Sequence, residues 1–552
     1  MKIIVIKLLL LLLFIPELIH GINNQPEKIA VFTDRNLYIC NEKILFTATI
    51  QSNNTNKAEF SSVLYVELIS PDGESFSKSK FAIKNSISNG SILIPGNMLS
   101  GIYYLKTYTK WMRNFGPECY SYTLIKVVNP FKNGILNIDQ KSYKIKSYID
   151  SSNVENTDVQ IIIPKTSFST RESTNLSVKV KEKIKDDIQT MTISVAPKGT
   201  VINTIVLQNT DSLQNKEIDY KPETKGISLS GKVLSSKNKP LINTRVNLSV
   251  IGNNDIITQY SDSLGKFNFG FLDYYNSKDL FISAESKDDN ETPKLLIDND
   301  FCNKEIALQF HPFTLSETEK NTVLKMAQNL QVDSLYNNDT IKTADFESEY
   351  THPFYGKPSK SIYFDKYVLL PTIDEYFSEF IGDVAIKKRN GKRYFKIQGF
   401  QSAMQIYDPL VMIDFIAIEN HDLLLSINPQ NISHVEIINE PYVKGSATYG
   451  GVISFISKKR NFAGIELPKS GLFINYSFYK PISNINTDDF VAKNPDARNT
   501  LLWVTTNNFG KPNNDSFTLK TGDTPCDYTI IVKCIDKSGN IYSTSKTISV
   551  LE

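Results

Sequence analysis

Residues 447–459 read ATYGGVISFISKK. Tyr449, Gly450 and Gly451 close a small turn, an apolar run extends from Val452 to Ile456, and Lys458, Lys459 and Arg460 stop it. A short apolar run bounded by glycines and charges predicts a buried strand. Working outward, the segments DVAIKKR, RYFKIQG, DPLVMIDFIAI and HVEIINE predict further strands. Asn390-Gly391 predicts the two-residue turn of a hairpin between the first two. Before them, PTIDEYFSEF predicts a short helix: Thr372 is placed to cap it, Glu375 completes the box, and Ile373, Tyr376, Phe377 and Phe380 share one face. Residues 368–460 are therefore expected to form one small α+β module.

The rest of the chain reads mainly as β, in several modules, as expected for 552 residues. With 27 Tyr and 31 Phe against 7 Met, and much Val, Ile, Thr and Ser, the composition suits pleated, half-buried surfaces. From 22 to 130, short strands alternate with turn clusters, among them SVLYVEL followed by Ser70-Pro71-Asp72-Gly73, which predicts a β-sandwich. Residues 131–215 predict a second sandwich, with Leu176, Val178 and Val180, then Met191, Ile193 and Val195, turned inward. A third spans 226–295, where Gly231 opens a strand, Pro240-Leu241 turns it, and Gly265 lets Phe267 and Phe269 re-enter the core. In 301–367 one helix is expected, with Ser316 and Glu319 as capping box and Val323, Met326, Ala327 and Leu330 at helical spacing; an exposed linker follows. Residues 494–552 predict a last small sandwich anchored by Trp503.

Three stretches carry resemblances. DRNLYICNEKILFTATI, LYVELISPDG and GIYYLKTYTKWMRNFG are similar to a macroglobulin-like domain of bacterial alpha-2-macroglobulin relatives. Cys40-Asn41 stands where that family has Pro-Gly, and Asn tolerates the left-handed backbone such a turn needs. GISLSGKVLSSKNKPLINTRVNLSV with SDSLGKFNF resembles a carboxypeptidase regulatory-like domain. PLVMID and VEIINEPYVKGSATYGGVISFISKK resemble the plug of a TonB-dependent outer-membrane receptor, with Phe415 at the family's Gly and Ile397-Gln398-Gly399 for Ile-Arg-Gly. Together they imply an exported envelope protein of Gram-negative bacteria. A plugged barrel needs about 22 strands of about 10 residues each; the 93 residues after Lys459 lead us to expect no barrel in this chain.

The first 21 residues, with Lys2 and Lys7 around an apolar run too short to span a bilayer, have the order of a secretory signal. The expected location is outer membrane-associated, at the periplasmic face or the cell surface. Lys+Arg number 61 and Asp+Glu 59, so no basic excess marks a nucleic-acid partner. Of the five cysteines, Cys526 and Cys534 belong to one strand and would lie roughly 26 Å apart, too far to bridge. Cys40 and Cys119 can pair only if their strands are neighbours; buried free thiols are the alternative.

No catalytic constellation emerges, and no enzyme is expected. The histidines form no H-E-x-x-H or i, i+4 ligand pair, so no metal or other cofactor is expected, and His434 with Glu436 reads as a strand-surface pair. Asp414 reads as a turn acceptor. No Cys has the Gln that the thioester of the macroglobulin relatives requires, so covalent protease trapping is not expected. The candidate interface is the basic cluster Lys387, Lys388, Arg389, Lys392 and Arg393, solvent-facing or meeting an acidic partner, together with Trp111 and Arg113, residue types enriched at interface centres. The expected partners are envelope proteins, an outer-membrane barrel among the candidates. Two roles follow: a non-catalytic β scaffold with a docking module, or a transport component whose plug-like module gates a barrel supplied by another chain.

Overall fold

A computed structural model describes residues 26–51, 61–138, 147–149, 158–201, 205–207, 218–285, 291–304, 306–336, 353–389, 391–399, 401–481, 494–507 and 516–552. The expected signal, residues 337–352 of the expected linker and Asn390 lie outside them. The protein is mainly β, in multiple sheets, with no closed barrel among the described residues. No helix there is long and apolar enough to cross a membrane. The chain folds as two compact units, one of Met1–Thr224, Cys302–Asp339 and Ile482–Glu552, the other of Lys225–Phe301 and Thr340–Pro481.

In the first unit, the N-terminal sandwich pairs a sheet of Lys28–Thr33, Lys43–Gln51 and Ile87–Leu93 with a larger one built on Val63–Ile69, Gly101–Tyr108 and Ser121–Val128. Val63–Ile69 is buried on both faces, so even Glu67 is inside, paired with Lys106 at 2.8 Å. Asn41 has φ 71°, the left-handed turn expected where the resemblance has Gly. The DRNLY segment is a buried polar knot: Tyr38 Oη donates to Asp34 (2.7 Å), and the Arg35 guanidinium to Glu42 (2.7 Å). Asp34 also accepts from Thr500 and Glu42 from Asn499, which ties the C-terminal segment to this sandwich.

Three expectations change here. The C-terminal segment forms no sandwich of its own. Ser516–Lys520 pairs with Ser173–Val180, and Cys526–Asp536 lies between Ile188–Pro197 and Ile541–Leu551, so 159–197 and 502–551 share one sandwich and one core. Within each half only two strands pair with each other, Val159–Ile162 with Ser173–Val180 and Cys526–Asp536 with Ile541–Leu551, and an isolated two-stranded pair is marginal in water. Leu176, Val178, Val180, Met191, Ile193 and Val195 do face that core, but Trp503 is only half-buried: its neighbours Leu501 and Leu502 take the core position. Conversely, Ser147–Ile149 and Ile205–Leu207, expected in the second sandwich, extend the large sheet of the first. Helix Glu317–Tyr336 begins at the expected capping box, Ser316 N to Glu319 at 2.7 Å and Glu319 N to Ser316 Oγ at 3.2 Å. It sets Val323, Met326 and Ala327 on Leu37, Ile39 and Val128.

In the second unit, Ile227–Leu234, Lys266–Phe271 and Lys294–Ile297 form one sheet, and Asp255–Tyr260, Arg245–Val250, Ser277–Ala284 and Leu472–Ser477 the other. Residues 472–477 thus complete a sandwich begun more than 200 positions earlier. Gly231 sits inside its strand rather than opening it, where a Cβ would lie 2.3 Å from the Leu296 carbonyl. Phe267 and Phe269 re-enter the core as expected.

The remaining module has the mixed sheet Lys360–Tyr363, Ile432–Ile438, Val452–Ser457, Leu410–Ile413 and Ile416–Ala417 in that order. Val452–Ser457, the strand read from the opening stretch, is central and buried throughout. Helix Ile373–Phe380 covers it, capped by Thr372 accepting from Glu375 N (3.3 Å), with Ile373, Tyr376 and Phe377 in the core. Hairpin Val384–Arg389/Lys392–Ile397 packs alongside.

Candidate docking surface

The turn that opens the 447–459 stretch is held against the sandwich of the same unit. Gly445, at φ 62°, approaches so closely that a Cβ would lie 2.0 Å from the Thr258 carbonyl, and Ser446 N donates to that oxygen (3.1 Å). Tyr449, fully buried, donates to Thr258 Oγ1 (2.8 Å), which donates to Asn247 Oδ1 (2.8 Å), whose amide donates to Glu285 (2.6 Å). Arg245 closes the chain, 3.2 Å from Glu285 and 3.3 Å from Glu419. Burial pushes the Glu285 carboxyl up to about 7, opposed by Arg245 and Asn247. It also raises the Tyr449 hydroxyl to about 12.

Beside this polar chain, Ile256 packs with Leu410, Met412, Phe415, Val452 and Ile456 in one core, and Ser249 Oγ donates to the Phe415 carbonyl (2.7 Å). Phe415 holds φ 67° and its neighbour Asp414 φ 45°, both left-handed, in the two-residue connection between Ile413 and Ile416. The ring stacks on Tyr355 (6.3 Å between centroids) and meets Phe354 edge-on. Asp414 is a turn acceptor, taking hydrogen bonds from Ser457 N (2.8 Å), Ser457 Oγ (2.5 Å) and Phe462 N (2.9 Å).

The five basic residues of the hairpin separate into two groups. Arg393 is ion-paired with Asp422 (2.6 Å) and Asp374 (2.9 Å), and Arg389 with Asp408 (3.0 Å), so these two are satisfied inside the module. Lys387, Lys388 and Lys392 are exposed, and Lys387 and Lys388 make no ion pair among the described residues. In the other unit, Trp111 is half-buried edge-on to Phe115, and Arg113 lies over the Tyr220 ring (4.2 Å) and donates to its hydroxyl. Trp111 and Arg113 thus belong to a different unit from the hairpin.

The remaining polar candidates are structural. His434 lies 3.6 Å from Glu436, but both are mostly buried, with the imidazole stacked on Tyr363, so the pair is not a surface feature. His421 Nδ1 accepts from Phe395 N (3.0 Å), and burial, against the pull of Asp408 and Asp422, holds its pKa at about 4. All five cysteines are free; Cys40 and Cys119 are buried, and Cys526 begins the strand that ends just past Cys534. Among the described residues no group of His, Cys, Asp and Glu could hold a metal ion.

Sequence reading found the hairpin but missed the polar chain. Its signal was present in RVNLSV, where Arg245, Asn247 and Ser249 alternate with apolar residues and Asn247 and Ser249 are nonetheless buried.

No protein-family model matches the sequence, nor does any curated protein. Among solved structures, Salmonella alpha-2-macroglobulin reacted with methylamine aligns over 95% of this chain and 23% of its own, at 9% identity and a TM-score of 0.15. Escherichia coli alpha-2-macroglobulin activated by porcine elastase aligns over 95% of this chain and 44% of its own, at 9% identity and a TM-score of 0.21. Dimeric latent PorU from Porphyromonas gingivalis aligns over 52% and 34%, at 10% identity and a TM-score of 0.16. The chain spans less than half of each of these proteins. Likeness this weak carries no inference about activity or partners.

Proposed function

We propose that this is a non-catalytic, exported envelope protein, a multi-domain β scaffold whose plug-like module, residues 368–460, serves as a docking module at the outer membrane. One observation supports it above the rest: a flank of that module is occupied by strands Arg245–Val250 and Asp255–Tyr260 of the sandwich in the same unit, through Tyr449–Thr258–Asn247 and the core around Phe415. A receptor plug presents its perimeter to a barrel wall. This one has part of its perimeter committed to its own chain, which favours a fixed adaptor over a gate for a barrel supplied by another chain. The surface left to partners includes the exposed lysines of the hairpin, whose attraction to an acidic envelope protein would be modest and salt-sensitive.

Reversal of Lys387 and Lys388 to Glu tests this. At low salt the recovery of an envelope partner should fall while the melting temperature stays nearly unchanged. Recovery unaffected by the reversal refutes docking by the hairpin. Methylamine treatment followed by mass spectrometry should leave the mass unchanged, since no internal thioester is proposed; a single adduct on a Gln would contradict the non-trapping reading.

A further inference from the structure

Between strand Lys360–Tyr363 and helix Ile373–Phe380, the chain runs without helix or strand through Tyr367-Val368-Leu369-Leu370. Val368 is 81% exposed, Leu369 56% and Tyr367 41%. Runs of exposed apolar residues oppose solubility and mark interaction sites. The segment is nonetheless held in place. Tyr367 packs on Phe380 (4.3 Å between rings), Leu370 N donates to Tyr376 Oη (3.4 Å), and Leu370 leans on the module core.

The exposed apolar pair has amphipathic neighbours: Tyr367 precedes it, Tyr363 is 38% exposed, and Lys366 lies over the Tyr363 ring at 4.7 Å. Apolar residues flanked by tyrosine and lysine are the residue types that a bilayer surface accommodates together, where tyrosines concentrate and lysines extend to the water. Three exposed side chains fall well short of the roughly 800 Å² per partner that a specific protein interface buries. Inserting them into a lipid interface requires no matching pocket.

The hairpin supplies a second signal. Arg393 binds Asp374 in the first turn of the helix that this segment enters, so the hairpin end lies at the same end of the module. Lys388 is directly opposite Arg393, and neither it nor Lys387 is neutralised by an ion pair among the described residues. Asp374, Asp408 and Asp422 are already matched by arginines, and Lys366 offsets its neighbour Asp365. We propose that Tyr367–Leu369 is a membrane-contact tip that inserts into the surface of a bilayer bearing anionic headgroups, with Lys387 and Lys388 meeting those headgroups. Two weak signals of this kind act together where either alone binds marginally.

The test is co-sedimentation of the chain expressed without residues 1–21, so that their apolar run adds nothing, with phosphatidylcholine vesicles with and without phosphatidylglycerol. Binding is expected to both, tighter with phosphatidylglycerol. Val368→Asp with Leu369→Asp should lower it at least tenfold at an unchanged melting temperature. Val368→Trp should show a blue shift and quenching by lipid-borne bromine. A wild-type chain left in the supernatant with both vesicles, Asp variants that bind like wild type, or a Trp emission insensitive to vesicles each overturns the insertion; equal binding to both vesicles overturns the anionic preference. The Asp pair leaves Lys387 and Lys388 in place, so its outcome is separable from that of the protein-docking reading.

Discussion

Phe415 sets two energies against each other, and their difference can be measured. A side chain at φ 67° costs about 1–2 kcal/mol relative to glycine. The same ring is 5% exposed and packs with Phe354 and Tyr355, and emptying such a site costs about 3–5 kcal/mol. Phe415→Gly should therefore destabilise the module by about 2–3 kcal/mol even though it removes the strain. Phe415→Ala loses the ring but keeps a Cβ at φ 67°, and should be about 1 kcal/mol worse than Gly. The expected order is Phe, then Gly, then Ala, the reverse of the usual ranking of alanine over glycine. Hydrogen exchange in peptides covering 410–417 and 452–457 of the full chain reads it, since each 1.4 kcal/mol is a tenfold change in the opening equilibrium. Gly at or above wild type would refute the packing argument. Ala at or above Gly would refute the strain argument.

Three further outcomes follow from the same contacts. His421 must be neutral to accept from Phe395 N, and its pKa falls from 6.5 to about 4 on folding. The unfolded chain then binds the extra proton between those values, so the contribution of His421 to stability is complete above pH 6.5 and is lost, by up to roughly 3 kcal/mol, as pH falls to 4. Glu285, raised to about 7, acts in the opposite sense over much of this range, so the His421 contribution is read as the difference in urea midpoints between wild type and His421→Asn, which should shrink steadily from pH 6.5 to 4. Deleting 494–552 removes Cys526–Asp536, the inner partner of Ile188–Pro197; limited proteolysis should then cut within 158–201, whereas an independent C-terminal sandwich would leave that segment protected. Thr258→Val removes both bonds of the Tyr449–Thr258–Asn247 relay, costing about 2 kcal/mol. A double-mutant cycle with Tyr449→Phe should show coupling, and strict additivity would mean the relay contributes nothing between the two modules.

What the sequence disclosed and what it concealed divide by range. Capping boxes at Ser316 and Thr372, the left-handed Asn41 and the inward sets at 176–180 and 191–195 each depend on a few adjacent residues, and each stands in the structure. Strand partners do not depend on adjacent residues. Ile188–Pro197 is flanked by strands more than 300 positions away, and many alternating apolar strands in this chain would fit its face equally well. That is why 494–552 read as a separate sandwich and why 472–477 was not assigned. The basic hairpin was legible as a cluster, but which cations remain free was not, because Asp374, Asp408 and Asp422 come from three separate segments. RVNLSV carries the more general lesson. Its polar residues alternate as on a solvent-facing edge, yet Asn247 and Ser249 are short and uncharged, able to enter a dry interface once each meets a partner, as Thr258 and the Phe415 carbonyl provide. A solvent face built for water alone has no need of that restriction and accepts lysine and glutamate freely; here the one charge on the face, Arg245, is ion-paired with Glu285 and Glu419, and consecutive small uncharged polar residues on one strand face are therefore a readable sign that another module covers it.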